Sequence, residues 1–377
     1  MLKLVLKMTL SYWEYKSWLS NIDFTIVGSG IVGLNCALSL KNKHPKAKIL
    51  VLEKGILPQG ASTKNAGFAC FGSISEIVAD LNDHTGNEVV ALVKKRWDGI
   101  QLLRQNLGDK QIGFQNHGGH ELFMYYDEKL YENCLERLDE VNALMLPIFK
   151  EKAFEKRSNT FEFQKVKEQY ITNGFESQID TGKMMSTLLT KVLKNDIKIL
   201  NSITVKEFVE NSDHVLVKTN QFNFKTNKLL IATNGFATQL FNEEVKPARA
   251  QVLITKPIKN LHIKGTFHLD EGYYYFRNID NRILFGGGRN LDFKTEETTV
   301  FGETQLVQTK LKKMLKEIIL PKTSFEIDYS WSGIMGVGKV KKPVVKQLSN
   351  NVYCGVRLGG MGIAIGSYIG EELSELV

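Results

Sequence analysis

Phe24-Thr25-Ile26-Val27-Gly28-Ser29-Gly30-Ile31-Val32-Gly33-Leu34-Asn35 decides how this 377-residue chain is read. An apolar run enters Gly28-x-Gly30-x-x-Gly33, the helix-forming Cys36-Ala37-Leu38-Ser39-Leu40 follows, and a second apolar run, Lys48-Ile49-Leu50-Val51-Leu52, ends at Glu53. The pattern predicts a β-α-β unit that binds a dinucleotide. Gly28 permits the tight turn, Gly30 lets the main chain approach a pyrophosphate, and Gly33 lets the helix pack close to the strand. The helix N-terminus then offers free N–H groups and positive potential to the phosphates. Glu53, about 20 residues beyond Gly33, is expected to accept hydrogen bonds from the ribose. Ser29, Ile31, Val32 and Lys54 complete the cofactor-binding set around this turn.

Composition agrees with a soluble α/β enzyme of about two domains, since 43% hydrophobic residues are ample for buried cores. The formal charge of +8 comes from 49 basic residues, nine of them arginine, and they are scattered. Short clusters such as Lys94-Lys95-Arg96, Lys312-Lys313 and Lys341-Lys342 read as a solvated lysine-rich surface, so no specific nucleic acid is expected. Cys36, Cys70, Cys134 and Cys354 show no C-x-x-C spacing, which argues against a metal site or a disulfide framework and for reduced thiols in a cytoplasmic protein. Met1–Met8 is faintly signal-like, but Lys7 interrupts its apolar run and no small-residue cleavage site follows. No apolar run approaches the length of a membrane span.

Further along, Gly60–Gly67 is dense in small residues, which suits close backbone approach, and Ala61, Ser62, Asn65, Ala66 and Gly67 are expected to touch the cofactor. Apolar spacing predicts helices over 74–107 and over 128–150, the latter ended at Pro147. Gly118–Tyr125 reads as a strand, and a helix runs from Asp180 through Lys194. Strands are expected at 197–200, 203–209 and 215–218. Lys228–Gly235, wholly apolar before Ala232-Thr233-Asn234-Gly235, belongs in a buried parallel sheet whose C-terminal end meets the ligand crevice. Residues 248–288 alternate as in an antiparallel sheet facing a ligand, a helix follows near 303–318, and Asn351–Gly366 leads a strand through a glycine-rich turn into the last helix.

This assembly resembles the D-amino-acid oxidase/glycine oxidase/sarcosine oxidase family of FAD-dependent oxidoreductases over nearly the whole chain, from Asp23 to Val377. The resemblance rests on the glycine fingerprint, the Gly60–Gly67 loop, the Asp180 helix, Ile231–Gly235, Arg249-Ala250-Gln251, Tyr275 to Gly288, Trp331-Ser332-Gly333 and the terminal strand, turn and helix. It implies an FAD/NAD(P)-binding Rossmann-like domain (20–85, 170–245 and 328–377) with an inserted antiparallel-sheet substrate domain (86–169 and 246–327). Val205, Thr233, Gly235 and Gly333 join the expected FAD contacts. The helix N-terminus behind Gly359, Gly360, Met361, Gly362 and Ile363 would meet the negative charge that a reduced flavin carries.

The chemistry implied is oxidation of the C–N bond of a small amine or amino acid by hydride transfer to flavin, with dioxygen or another acceptor taking the electrons. No catalytic acid or base is named. Glycine-oxidase-like relatives carry a carboxylate-binding arginine shortly after Trp-x-Gly, where this chain has Ile334 and Met335. Arg357 and Arg289 are the expected replacements, with Tyr275 lining the cavity. The chain has neither a histidine near Asn65 nor a cysteine near Trp331, the attachment residues of some relatives, so non-covalent FAD is expected. A tRNA wobble-uridine-modifying oxidoreductase of the same fold, or a non-catalytic flavin-binding protein, are the alternatives.

Overall fold

The computed structural model describes residues 9–377. The signal-like reading of Met1–Met8 lies outside them. The chain divides into two compact units: one comprises the chain up to Lys64, Gly182–Ala248 and Ile334–Val377, and the other Asn65–Thr181 and Arg249–Gly333. The expected borders at 85 and 170 thus differ from the observed changeovers after Lys64 and Thr181. Residues 65–85 group with the second unit because Phe68–Ala69 pairs with Ser177–Gln178. Phe71, Ile74 and Ile77 are also buried in a core shared with Val89, Val93, Val141 and Met145.

The first unit is built on a sheet with the order 344–349, 352–356, 223–231, 22–27, 49–52, 198–200. Strand Ile22–Val27 is parallel to Asn223–Ile231 on one side and to Ile49–Leu52 on the other. Ile49–Leu52 is buried at every residue, as a strand covered on both faces must be. Helix Ile31–Lys43 and the last helix, Gly362–Glu375, are largely buried. Their contact is close because a Cβ at Gly370 would stand 2.7 Å from the Val32 carbonyl oxygen.

The second unit carries an eight-stranded, mostly antiparallel sheet in the order 327–337, 246–255, 282–287, 274–279, 266–269, 119–121, 169–173, 154–158. One face packs Phe267, Leu269, Tyr274, Phe276 and Phe285 against Val307, Leu311 and Leu315 of the helix near 305–319.

The two long helices expected here are each two. Ile74–Asp83 stops before His84, and Gly86–Leu107 restarts behind the capping box of Thr85 and Glu88. Glu128–Glu136 and Leu138–Phe149 break at Arg137, and Pro147 sits inside the second helix, which ends at the left-handed Lys150. No helix of the described residues is long and apolar enough to cross a membrane.

Candidate functional site

In the first unit the fingerprint turn closes on main chain. Gly28 has φ +107°, and a Cβ there would lie 2.7 Å from the Ala232 carbonyl oxygen; one at Gly33 would lie 2.0 Å from that of Gly28. Both positions therefore require glycine for packing, and Gly28 requires it for conformation as well. At Gly30 the Cβ would meet the Ser62 hydroxyl at 2.8 Å. That hydroxyl accepts from Ile31 N at 2.9 Å, so Ser62 caps the first N–H of the helix from a distant loop, while Gly30 itself supplies no side-chain cap.

Glu53 stands at the end of the neighbouring strand, 6% exposed. Its Oε2 accepts from Ser29 N at 3.2 Å and from the Ser29 hydroxyl at 2.6 Å, and its Oε1 from Gly55 N at 2.9 Å and Gln59 N at 3.4 Å. The long Gln59 bond is the weakest of the four and the one a ribose hydroxyl would displace at least cost. Glu53 N donates to Leu200 O and Ile203 N to Glu53 O, both at 2.9 Å, which brings buried Val205 to the same end of the sheet. Lys54 holds its ammonium over the Phe236 ring at 5.9 Å.

Asn234 ties the third part together. Its Oδ1 accepts from Arg357 N at 3.1 Å and Leu358 N at 3.2 Å. A Cβ on the adjacent Gly235 would reach the Met335 carbonyl oxygen at 2.4 Å. Strand Val352–Val356 is thereby fixed beside the end of Asn223–Ile231, and Gly359 N donates to Gly336 O at 2.9 Å. The last helix begins at Gly362 with no side-chain cap on Met361. Cβ atoms added at Gly359 or Gly362 would meet nothing within 4 Å, and one at Gly360 only the Met335 sulfur at 3.9 Å. The left-handed φ of +60° accounts for Gly359, but neither packing nor a positive φ demands Gly360 and Gly362, whereas close approach of a planar ligand to the helix N-terminus would. The hydroxyl of Thr233 is buried and has no hydrogen-bond partner among the described residues. Cradle, the uncapped start of the last helix and unpaired hydroxyl all fit a dinucleotide.

Asn65, Ala66 and Gly67 belong to the second unit. Asn65 Oδ1 accepts from Gly67 N and from the Thr181 hydroxyl, both at 2.8 Å. Arg277 donates from Nε to the Ala66 carbonyl and from Nη2 to that of Ile179 at 2.9 Å. Arg277 is buried, and burial pulls its pKa down to about 10 against the opposing effect of Asp180 and Asp280. Sequence reasoning missed its role, although alternation puts it on the face of Tyr275 two residues earlier.

Cross-strand register completes that face: His268 lies opposite Tyr275 and beside Glu121, and Thr266 opposite Arg277. Glu176, fully buried, accepts from the Thr266 hydroxyl at 2.6 Å and pairs with His268 Nε2 at 2.7 Å. Burial opposes charge on His268, but Glu176 holds its pKa up to about 9. The Ser75 hydroxyl and N–H bind Glu121, whose pKa burial raises. Tyr275 stands edge-on to Phe68 at 5.6 Å, packed with Ala66, Val252, Leu284 and Trp331, and burial pushes its pKa up to about 12.

The two arginines expected to bind substrate are engaged differently. Arg357, with φ +65°, donates from Nε to Lys342 O at 3.0 Å and from Nη1 to Glu244 O at 3.2 Å, all within the first unit. In the second unit Arg289 packs over the rings of Phe293 at 5.0 Å and Tyr273 at 6.0 Å. Gly333 lies in strand Ile327–Val337, followed by buried Ile334.

Residues 23–376 match the profile of a family described as FAD dependent oxidoreductase. The chain is 21% identical to the probable oxidoreductase OrdL of Haemophilus influenzae, covering 95% of this chain and 83% of that one. It is likewise 21% identical to gamma-glutamylputrescine oxidoreductase of Escherichia coli, at 94% and 83% coverage. Among solved structures, glycine oxidase from Geobacillus kaustophilus superposes with a TM-score of 0.75 at 16% identity, over 94% of this chain and 95% of the other.

Proposed function

The chain belongs to the FAD-dependent oxidoreductase family, and from that premise we propose that it oxidises the C–N bond of a small amine or amino acid. FAD, held without a covalent bond, supplies the electron sink: the substrate carbon gives up a hydride, the resulting imine is hydrolysed, and dioxygen or another acceptor takes the electrons. Gly28, Gly30 and Gly33 admit the pyrophosphate to the start of helix Ile31–Lys43, Glu53 accepts from the ribose, and Thr233 offers its unpaired hydroxyl. The start of the last helix, behind Gly359–Gly362, directs N–H donors toward developing negative charge. In the second unit Arg277 fixes the Ala66 carbonyl. Tyr275, Phe68 and Trp331 present rings to the hydrocarbon part of the substrate, and Arg289 is the donor for any anionic group it carries.

The names of two relatives support the substrate class: one acts on gamma-glutamylputrescine, an amine, and the other on glycine. The observation that carries the reading is the glycine-rich, uncapped start of the last helix, for which the internal packing supplies no reason. Purified protein should be yellow, and acid or heat should release intact FAD. Anaerobic addition of a panel of primary and secondary amines and amino acids should bleach the colour with at least one of them. Colour that stays with the denatured polypeptide would refute the non-covalent attachment. A flavin reduced by an alcohol or hydroxy acid but by no amine would refute the substrate class.

A further inference from the structure

We infer that the segment Tyr12–Leu19 docks the protein on an anionic membrane surface. Of its eight residues only Leu19 is buried; Tyr12, Trp13, Tyr15 and Trp18 are 65%, 70%, 51% and 39% exposed. Four large rings presented to water within seven residues are a recognition feature, since solitary exposed aromatics are common and clusters are not. The segment is also built. Ser11 and Glu14 close a capping box at 3.2 and 2.7 Å, and Lys48 Nζ donates to Ser20 O at 2.6 Å and Lys16 O at 3.2 Å.

The charge around the rings identifies the partner. Lys16 holds its ammonium 5.7 Å over Tyr12, and Lys198 holds its own 4.9 Å over Trp18 while donating to the Ser17 carbonyl. Two acids stand against Lys16, Lys48 and Lys198: Glu14, in its capping box, and Asp23, which accepts from Lys48 N at 2.8 Å and from the Asn227 amide at 3.1 Å. Tyrosine and tryptophan, amphipathic rings, settle at the boundary of water and hydrocarbon, and lysines beside them complement anionic headgroups. A second copy of the chain would instead set lysine against lysine.

Position is compatible with activity. The segment leads into Ile22, Lys48 precedes Ile49, and Lys198 opens strand Lys198–Leu200, and these three strands run parallel. The rings therefore lie at the strand N-termini, and Gly28, Glu53 and Thr233 at the opposite ends.

Sedimentation of the full-length, FAD-loaded protein with vesicles tests the inference. Vesicles of phosphatidylglycerol and phosphatidylcholine should carry the protein down at low salt, and phosphatidylcholine alone should do so far less. The double change Trp13→Ala/Trp18→Ala should weaken partitioning at least tenfold, and Lys16→Gln about fivefold, with flavin content and thermal midpoint unchanged. A protein that stays in the supernatant with anionic vesicles overturns the proposal, as does a double variant that binds them equally well. A concentration-dependent dimer that the double variant abolishes, with no vesicle binding, reassigns the segment to a second copy.

Discussion

Around the parallel sheet of the first unit, room is left for main chain only: a Cβ at Gly33 or Gly28 would overlap a carbonyl oxygen. The antiparallel sheet of the second unit instead buries charge, setting Arg277, His268, Glu121 and Glu176 on or over one face of strands whose other face is packed with phenylalanine. The first arrangement is specified by what must be missing from a side chain, and no other residue type can substitute. The second is specified by partners that must all be present, because a buried ion left without one is costly. Local glycine geometry should therefore fail abruptly on mutation, and the charged face should fail in proportion to the partners lost.

Gly33→Val should give the largest effect. Its Cβ would stand 2.0 Å from a backbone oxygen that no rotamer can move, so insoluble or flavin-free protein is expected. A soluble, yellow Gly33→Val protein would show that the turn has room for a side chain after all.

Arg277→Met should come next, at about 3–4 kcal/mol of destabilisation in a denaturant titration, because the carbonyls of Ala66 and Ile179 lose their donor inside the protein. Arg277→Lys should recover little, since one ammonium cannot reproduce a planar fork. If the loop at Ala66 serves the flavin, weaker FAD retention should accompany the lost stability. An Arg277→Met protein as stable as the parent would show that the charged face is dispensable.

The His268–Glu176 pair should make stability depend on pH. The folded-state pKa of His268, about 9, lies above its ordinary 6.5. The stabilisation is therefore present in full below about pH 6.5 and lost as pH rises through about 9, on the order of 3 kcal/mol in all. The thermal midpoint should fall across that window in the parent and stay flatter in His268→Asn. Equal slopes would place the titration elsewhere.

These contrasts explain what could be read from the sequence. The fingerprint is legible because it is local, a spacing over a few residues with one steric meaning, and Glu53 because it ends the next apolar run, about 20 residues beyond Gly33. The donors and acceptors of Arg277 are not local: Ala66 and Ile179 lie 211 and 98 positions away and contribute main-chain oxygens, which leave no mark in a sequence. Glu176 is equally hidden, 92 positions from His268. The break between the helices at Thr85 is a different case. Thr85-Gly86-Asn87-Glu88 carries a capping-box signature that the apolar periodicity on either side outweighed. The domain borders follow the same logic, since pairing of Phe68–Ala69 with Ser177–Gln178 is a long-range event.

Arg357 should give the smallest effect, and it separates two roles that position alone leaves equal. As a substrate anchor it would lose roughly 30- to 5,000-fold in kcat/KM on change to Met, the equivalent of about 2–5 kcal/mol. Its guanidinium here instead latches the carbonyls of Lys342 and Glu244, and its backbone holds a left-handed φ of +65°. A latch predicts a fall of less than tenfold in kcat/KM and about 1 kcal/mol of lost stability for Arg357→Met, which keeps the strain and loses the bonds. Arg357→Gly loses the same bonds but relieves the left-handed strain, worth about 1 kcal/mol, so it should be nearly as stable as the parent. An anchor would leave both variants equally inactive, because neither carries a guanidinium. The ordering of the two in stability, with both still active, is the outcome expected of the latch.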